Sequence, residues 1–387
     1  MHTHPRSPPT RPTVGMAKQP SSLPPQAYML ARASARRARL PASLPLAAAA
    51  WRPQPRPCCR PRPLSQAATP RPAVDVVWMH NGWEMIVPMM QRRLDEIETH
   101  ACTVRQASYS EEGELQLESL AGAHVLVPAM AFVTEERLAA AGDGLALVYQ
   151  PAVDTSRIDV EACRARGIPV CHAPGSNANA LAEAIVMLML AVARGLPEGI
   201  ARTAAPPEGW GGPAGTELRG RTLGIIGVTG HSGQLLRQIC EAGFGMRVLG
   251  TTSTSTREQR RHLLAESDFI SVNCVLNDAT RGLLGSEEFA RMKQGAVLIN
   301  CARAGIVDRD ALEAALDSGQ LGAAALDVHW EEPCPPGDSI VSRPNVIATP
   351  HLGASTQQFF DNISELCLRN TRAVLEESPA DLLHRLC

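Results

Sequence analysis

The chain has 387 residues, 44% of them hydrophobic, and a formal charge of −2; that is length enough for two domains, each burying its own core. The charge is unevenly spread: residues 1–74 hold 11 Arg and one Lys but no Asp or Glu, which leaves 25 basic against 39 acidic residues in the remainder. So acidic a body excludes nucleic-acid binding, which needs a basic face, and no apolar run approaches the ~20 residues of a membrane-spanning helix.

The leader, residues 1–74, carries 16 of the 31 prolines and the run "ARASARRARL". Arg-rich, Ser-containing and acid-free, it has the composition of a transit peptide and predicts delivery to a plastid or mitochondrion. A disordered Pro-rich tail, or a true start at Met16 or Met29, accounts for the same composition, and the protein is then cytoplasmic. Eleven cysteines without a Cys-x-x-Cys pair indicate neither a disulfide framework nor a zinc site, so a reducing compartment is expected and no metal.

From Asp75 onward, short Val-rich runs ("VDVVWM", "AHVLVPAM", "LALVYQ", "GIPVCHA") alternate with helical stretches, the pattern of a parallel sheet covered by helices. "NALAEAIVMLMLAVARGL" reads as a helix apolar almost all round and ended by Gly195. Such a helix is buried on several sides, between two domains or in a subunit interface. After the polar passage "PPEGWGGPAGTEL" a second alternating series follows: "TLGIIGV", "MRVLGTT", "DFISVNCV", "AVLINCA", "GAAALDV" and "NVIATP". It predicts a doubly wound, Rossmann-like nucleotide-binding domain over 179–350.

Between the first strand of that series and its helix lies "GIIGVTGHSGQLL". Gly227, Gly230 and Gly233 there permit a tight turn and close approach of a pyrophosphate to the helix N-terminus, with His231 and Ser232 on the same turn. Three later peptides each end a strand-like run on a polar residue: "VLINCARAGIVD" with Arg303, "ALDVHWEEP" with Glu332 and "IATPHLGAST" with His351. Loops leaving the carboxyl ends of parallel strands share a crevice. A guanidinium that grips a carboxylate, an imidazole that carries a proton and a carboxylate that tunes it are what a protein needs to bind and protonate a 2-oxo acid while a hydride donor reduces it.

These peptides, with their spacings of 29 and 19 residues, resemble the D-isomer-specific 2-hydroxyacid dehydrogenases, and the similarity runs from about Asp75 to the C-terminus. The resemblance implies a smaller flavodoxin-like α/β substrate domain built from 75–178 and completed by 351–387, beside the dinucleotide domain. It implies hydride transfer between NAD(P)(H) and a small 2-hydroxy or 2-oxo acid, glyoxylate or hydroxypyruvate being the first expectation, in a homodimer. Arg303 would hold the substrate carboxylate with the backbone of Ala152 and Val153, His351 would exchange the proton, and Glu332 would orient His351. Asp327 would face the nicotinamide, with Cys301 nearby.

The chain also departs from the family pattern. The first two glycines stand one residue further apart than usual, a spacing shared with the extended short-chain dehydrogenases. Thr252 replaces the usual Asp after the second strand, and Arg257, Arg260 and Arg261 follow; a neutral hydroxyl among arginines favours NADP(H) slightly over NAD(H). The segment after it is short. Asp154 stands in the loop meant to receive an anion, Pro128 replaces an Arg typical of phosphoglycerate dehydrogenases, and Ala304 and Val275 replace a Gly and a Pro. The rival expectation is a catalytically silent, nicotinamide-binding regulatory or scaffolding relative.

Overall fold

A computed structural model describes residues 72–83, 85–204 and 214–387; the expectations for the leader concern residues outside this range. The first sheet has five parallel strands, β1 (Ala73–Trp78), β2 (Ala101–Gln106), β3 (Val125–Val127), β4 (Leu147–Gln150) and β5 (Val170–His172), in the order β2-β1-β3-β4-β5. Helices α1 (Ile86–Leu94), α2 (Glu135–Ala141) and α3 (Val160–Ala165) connect them. Central strands β1, β3 and β4 bury residues on both faces, as parallel strands sandwiched by helices must. Thr134 and Asp159 start α2 and α3 by accepting the N–H groups of Arg137 and Ala162.

The chain then crosses to the second sheet through α4 (Ala178–Ala193), followed by α5 (Leu196–Ala204). Ala182, Ile185, Leu188 and Met189 of α4 pack on a core from the second sheet. That sheet comprises β6 (Thr222–Ile226), β7 (Arg247–Thr251), β8 (Phe269–Val272), β9 (Ala296–Asn300), β10 (Leu321–Leu326) and β11 (Val346–Ala348), all parallel. Between them run α6 (His231–Gln238), α7 (Arg257–Glu266), α8 (Ser286–Arg291) and α9 (Arg309–Asp317). The strand order is β11-β10-β9-β8-β6-β7. It reverses beside β6, which opens a crevice between the ends of β6 and β8. Residues 252–268 have room for one helix only, so β7 is left as the edge of the sheet.

From β11 the chain recrosses into α10 (Gln357–Leu375), whose Phe359, Phe360, Ile363 and Cys367 bury against Val74, Trp78 and Met90 of the first sheet and its helix. The buried Tyr149 hydroxyl donates to the Ile363 carbonyl at 3.0 Å, fixing α10 across β4. The described chain thus passes between the sheets twice, after β5 and after β11. Among the described residues no single helix is long and apolar enough to cross a membrane.

Candidate active site

The glycine turn is built by exclusion of side chains. Gly227 has φ +98°, and a Cβ there would come within 2.7 Å of the Asn273–Cys274 peptide; one on Gly233 would lie 2.6 Å from the Gly227 carbonyl. The turn is anchored to β7: the N–H groups of Gly227 and Val228 both donate to the Thr251 carbonyl, at 2.8 and 3.0 Å. Val228 fits there because Gly250 has no Cβ, which would sit 2.5 Å from it. Gly230 then leads into α6, whose first-turn N–H groups lack intrahelical acceptors. A cavity of ≈ 190 Å³ is bounded by Gly230, His231 and Ser232, by Asn273 to Leu276, by Cys301 to Arg303, and by Ala152 to Asp154 from the first sheet. Cradle, helix end and cavity together fit a dinucleotide pyrophosphate.

Arg303 and Asp154 meet across this cavity although 149 residues separate them. Nε and Nη2 of Arg303 lie 3.2 and 3.1 Å from the same oxygen, Asp154 Oδ2, while Nη1 donates to the Ala302 carbonyl at 2.7 Å. Burial works against the Asp154 charge, but hydrogen bonds from Ser156 and the guanidinium hold its carboxyl below the usual range.

His351 and Glu332 meet in a second, larger cleft of ≈ 1020 Å³. Nδ1 of His351 is 3.1 Å from both carboxylate oxygens of Glu332. A carboxylate can only accept, so Nδ1 carries a hydrogen and Nε2 is left for proton exchange. Burial opposes ionisation of Glu332, yet His351, the His329 N–H and the charge of Arg303 together bring its carboxyl below the usual range. Arg303 is therefore electrostatically coupled to the pair although it lines the other cavity.

The structure places Asp327 against the loop that carries His351. It is 1% exposed, and its oxygens accept the Thr349 hydroxyl (2.6 Å), the Leu352 N–H (2.9 Å) and the Gly353 N–H (2.7 Å). Both oxygens thus take part in holding the loop that carries His351. That loop holds His351 at φ +53°, a left-handed conformation costly for a residue with a Cβ. Cys301 is buried, which pushes its thiol far above the usual range.

Thr252 follows β7 directly, its hydroxyl 3.0 Å from that of Thr254, and its N–H donates to the Ser255 hydroxyl. Arg257 and Arg261 both pair with Glu287. Arg260 has no carboxylate partner among the described residues, and its charge is felt at the half-buried Cys274 of the smaller cavity.

Several lining residues escaped the motif reading. His80, Met130, Phe132 and Arg157 border the cleft of His351, Arg157 stacking 5.1 Å above the Phe132 ring and donating to the Met130 carbonyl. Burial, then His351, then Arg157 lower the affinity of His80 for a proton. Asn273 donates to Ser232 at 3.3 Å across the glycine turn. His80 and Phe132 follow β1 and β3, so the rule that sites gather at the carboxyl ends of parallel strands was the available signal. Among the described residues no group of three His, Cys, Asp or Glu is arranged to hold a metal.

Residues 186–353 match the profile of the D-isomer specific 2-hydroxyacid dehydrogenase, NAD binding domain. A D-3-phosphoglycerate dehydrogenase of Methanocaldococcus jannaschii is 36% identical over 256 residues, 62% of this chain and 48% of that protein. The chain thus spans about half the length of the curated relatives it matches. The solved TT0316 protein of Thermus thermophilus is 32% identical, with 79% of this chain and 97% of that one covered and a TM-score of 0.69. A structure from Polaromonas described as a putative D-isomer specific 2-hydroxyacid dehydrogenase is 26% identical, with 81% and 100% covered and a TM-score of 0.68. With its two parallel sheets, its glycine turn and its polar residues in the loops that follow three strands, the chain belongs to the D-isomer-specific 2-hydroxyacid dehydrogenase family.

Proposed function

We propose that the protein is an NAD(P)-dependent oxidoreductase of small 2-hydroxy and 2-oxo acids. The observation that carries this reading is the Glu332–His351 pair, which leaves Nε2 available to protonate a carbonyl oxygen or take the proton back. Glu332 stabilises the imidazolium formed in oxidation, and the Arg303 guanidinium orients the substrate carboxylate and polarises the adjoining carbonyl. A nicotinamide dinucleotide with its pyrophosphate at Gly230–Gly233 would supply the hydride. Steady-state oxidation of NADH and NADPH with glyoxylate, hydroxypyruvate, pyruvate and 3-phosphohydroxypyruvate tests it; no turnover with any 2-oxo acid refutes it.

NADP(H) is slightly favoured by the uncharged Thr252 and by Arg260, the one arginine of its cluster without a carboxylate partner among the described residues. A homodimer is supported by the exposed apolar face of α4 and α5, where Met187, Leu196 and Ile200 are 48, 50 and 61% exposed. Sedimentation at micromolar concentration checks this. The acid-free leader supports import into a plastid or mitochondrion; a reporter fused to residues 1–74 that stays cytosolic removes that reading.

The alternative, a nicotinamide-binding relative without turnover, is favoured by one observation: a carboxylate of the chain itself, Asp154, already sits on Arg303. A chain that binds cofactor but reduces no acid would establish it.

A further inference from the structure

Arg303 is held through both its backbone and its side chain. Its own backbone carbonyl accepts from Asn300 Nδ2 at 3.0 Å, and Nη1 is turned onto the Ala302 carbonyl. What it presents to the cavity is the edge formed by Nε and Nη2, the edge on which a substrate carboxylate would be held side-on. Asp154 occupies that edge, end-on, through Oδ2 alone. Its other oxygen accepts the Ser156 N–H at 2.9 Å, and its carbonyl is anchored by Gln150 Nε2 at 2.7 Å. The loop is therefore held independently of Arg303, and the side chain can leave the guanidinium without the backbone moving.

We propose that Asp154 is a specificity-determining residue, an internal carboxylate that competes with the carboxylate of the substrate for Arg303. This rests on the 2-oxo acid reading above. Two features decide the balance. A carboxylate bound through both oxygens forms two parallel charge-assisted hydrogen bonds where Asp154 offers one acceptor, so an incoming acid can displace it. Once displaced, Asp154 remains an anion held beside the bound one, and like charges at such range repel strongly in a partly buried site. The chain thus selects against weakly held monoanions, and small 2-oxo acids saturate it only at high concentration.

The test compares the full-length wild type with Asp154→Asn, which keeps an oxygen for the Ser156 N–H and removes the charge. Isothermal titration with oxamate, a non-reducible isostere of a 2-oxo acid, is run in the presence of NADH, alongside KM for glyoxylate. Both constants are expected to fall about tenfold in the variant, and the gain to vanish when Arg303→Lys is added. Constants within twofold of wild type, or higher, overturn the proposal. Asp154→Ser, which also keeps an oxygen for Ser156, reads the same quantities if the asparagine variant does not fold. Tighter oxamate binding without reduction of any 2-oxo acid by either protein upholds the competition and refutes the reductase reading. Turnover by wild type with no tightening in the variants refutes the competition alone.

Discussion

The carboxylate of Asp327 receives the backbone N–H of Gly353 at 2.7 Å, and there is no space between them for a methyl group: a Cβ on Gly353 would lie 2.7 Å from the same oxygen. This contact and the two beside it fix the loop that carries His351. Gly353→Ala is therefore expected to push the loop off Asp327 and lower stability by about 1–3 kcal/mol, the usual cost of overpacking. Thermal unfolding measures it, and an unchanged midpoint would show that the loop moves freely.

If His351 exchanges the substrate proton, His351→Asn cuts turnover by roughly 100- to 10,000-fold, the range typical of general acid–base groups. Cofactor affinity, read by NADH fluorescence titration, stays near wild type. A loss of cofactor binding in step with turnover would place His351 in the other cavity.

Glu332 is ionised more readily in the folded chain than in the unfolded one, because His351, the His329 N–H and Arg303 overcome its burial. Its stabilising contribution is then complete above the ordinary Glu pKa of about 4.3 and is lost as pH falls through the lower folded value. Glu332→Gln lacks that contribution at every pH. Unfolding midpoints of wild type and variant, measured from pH 7 to 3, are expected to differ most at neutral pH and to converge in acid. A constant difference would assign the loss to packing.

Cofactor preference follows the charge near the end of β7. Thr252→Asp is expected to move the ratio of kcat/KM for NADPH over NADH towards NADH by about tenfold or more, as an added carboxylate repels a 2′-phosphate. Arg260→Ala moves it the same way. If Thr252→Asp acts and Arg260→Ala does not, the arginine lies beyond reach of the ribose.

The alternation of Val-rich runs with helical ones made the two parallel sheets legible, because parallel strands are covered on both faces and stay apolar throughout. β2 went unread for the opposite reason. Ala101–Gln106 is an edge strand with Arg105 in it and only Val104 buried, so it has no apolar run to find. Arg303, Glu332 and His351 could be named because each lies in the loop that follows a strand, within a recognisable peptide. The ion pair of Arg303 with Asp154 joins residues on different sheets, and the Asp327 oxygens accept from N–H groups some 25 residues onward. Backbone partners leave no mark in side-chain patterns, which is why its clamp on the histidine loop was not foreseen.

His351 lies on one of the only two segments by which the described chain passes from sheet to sheet, between β11 and α10. The other passes Gly175, where a Cβ would come within 3.0 Å of the His231 ring. Any swing of one sheet against the other must be absorbed by torsions in these two stretches. The aim of the imidazole and the width of the cleft are then a single mechanical coordinate. Stiffening that joint would change how often a proton is delivered as much as how firmly an acid is held, so substitutions far out on α10 that alter its seating on β4 should be felt at Nε2.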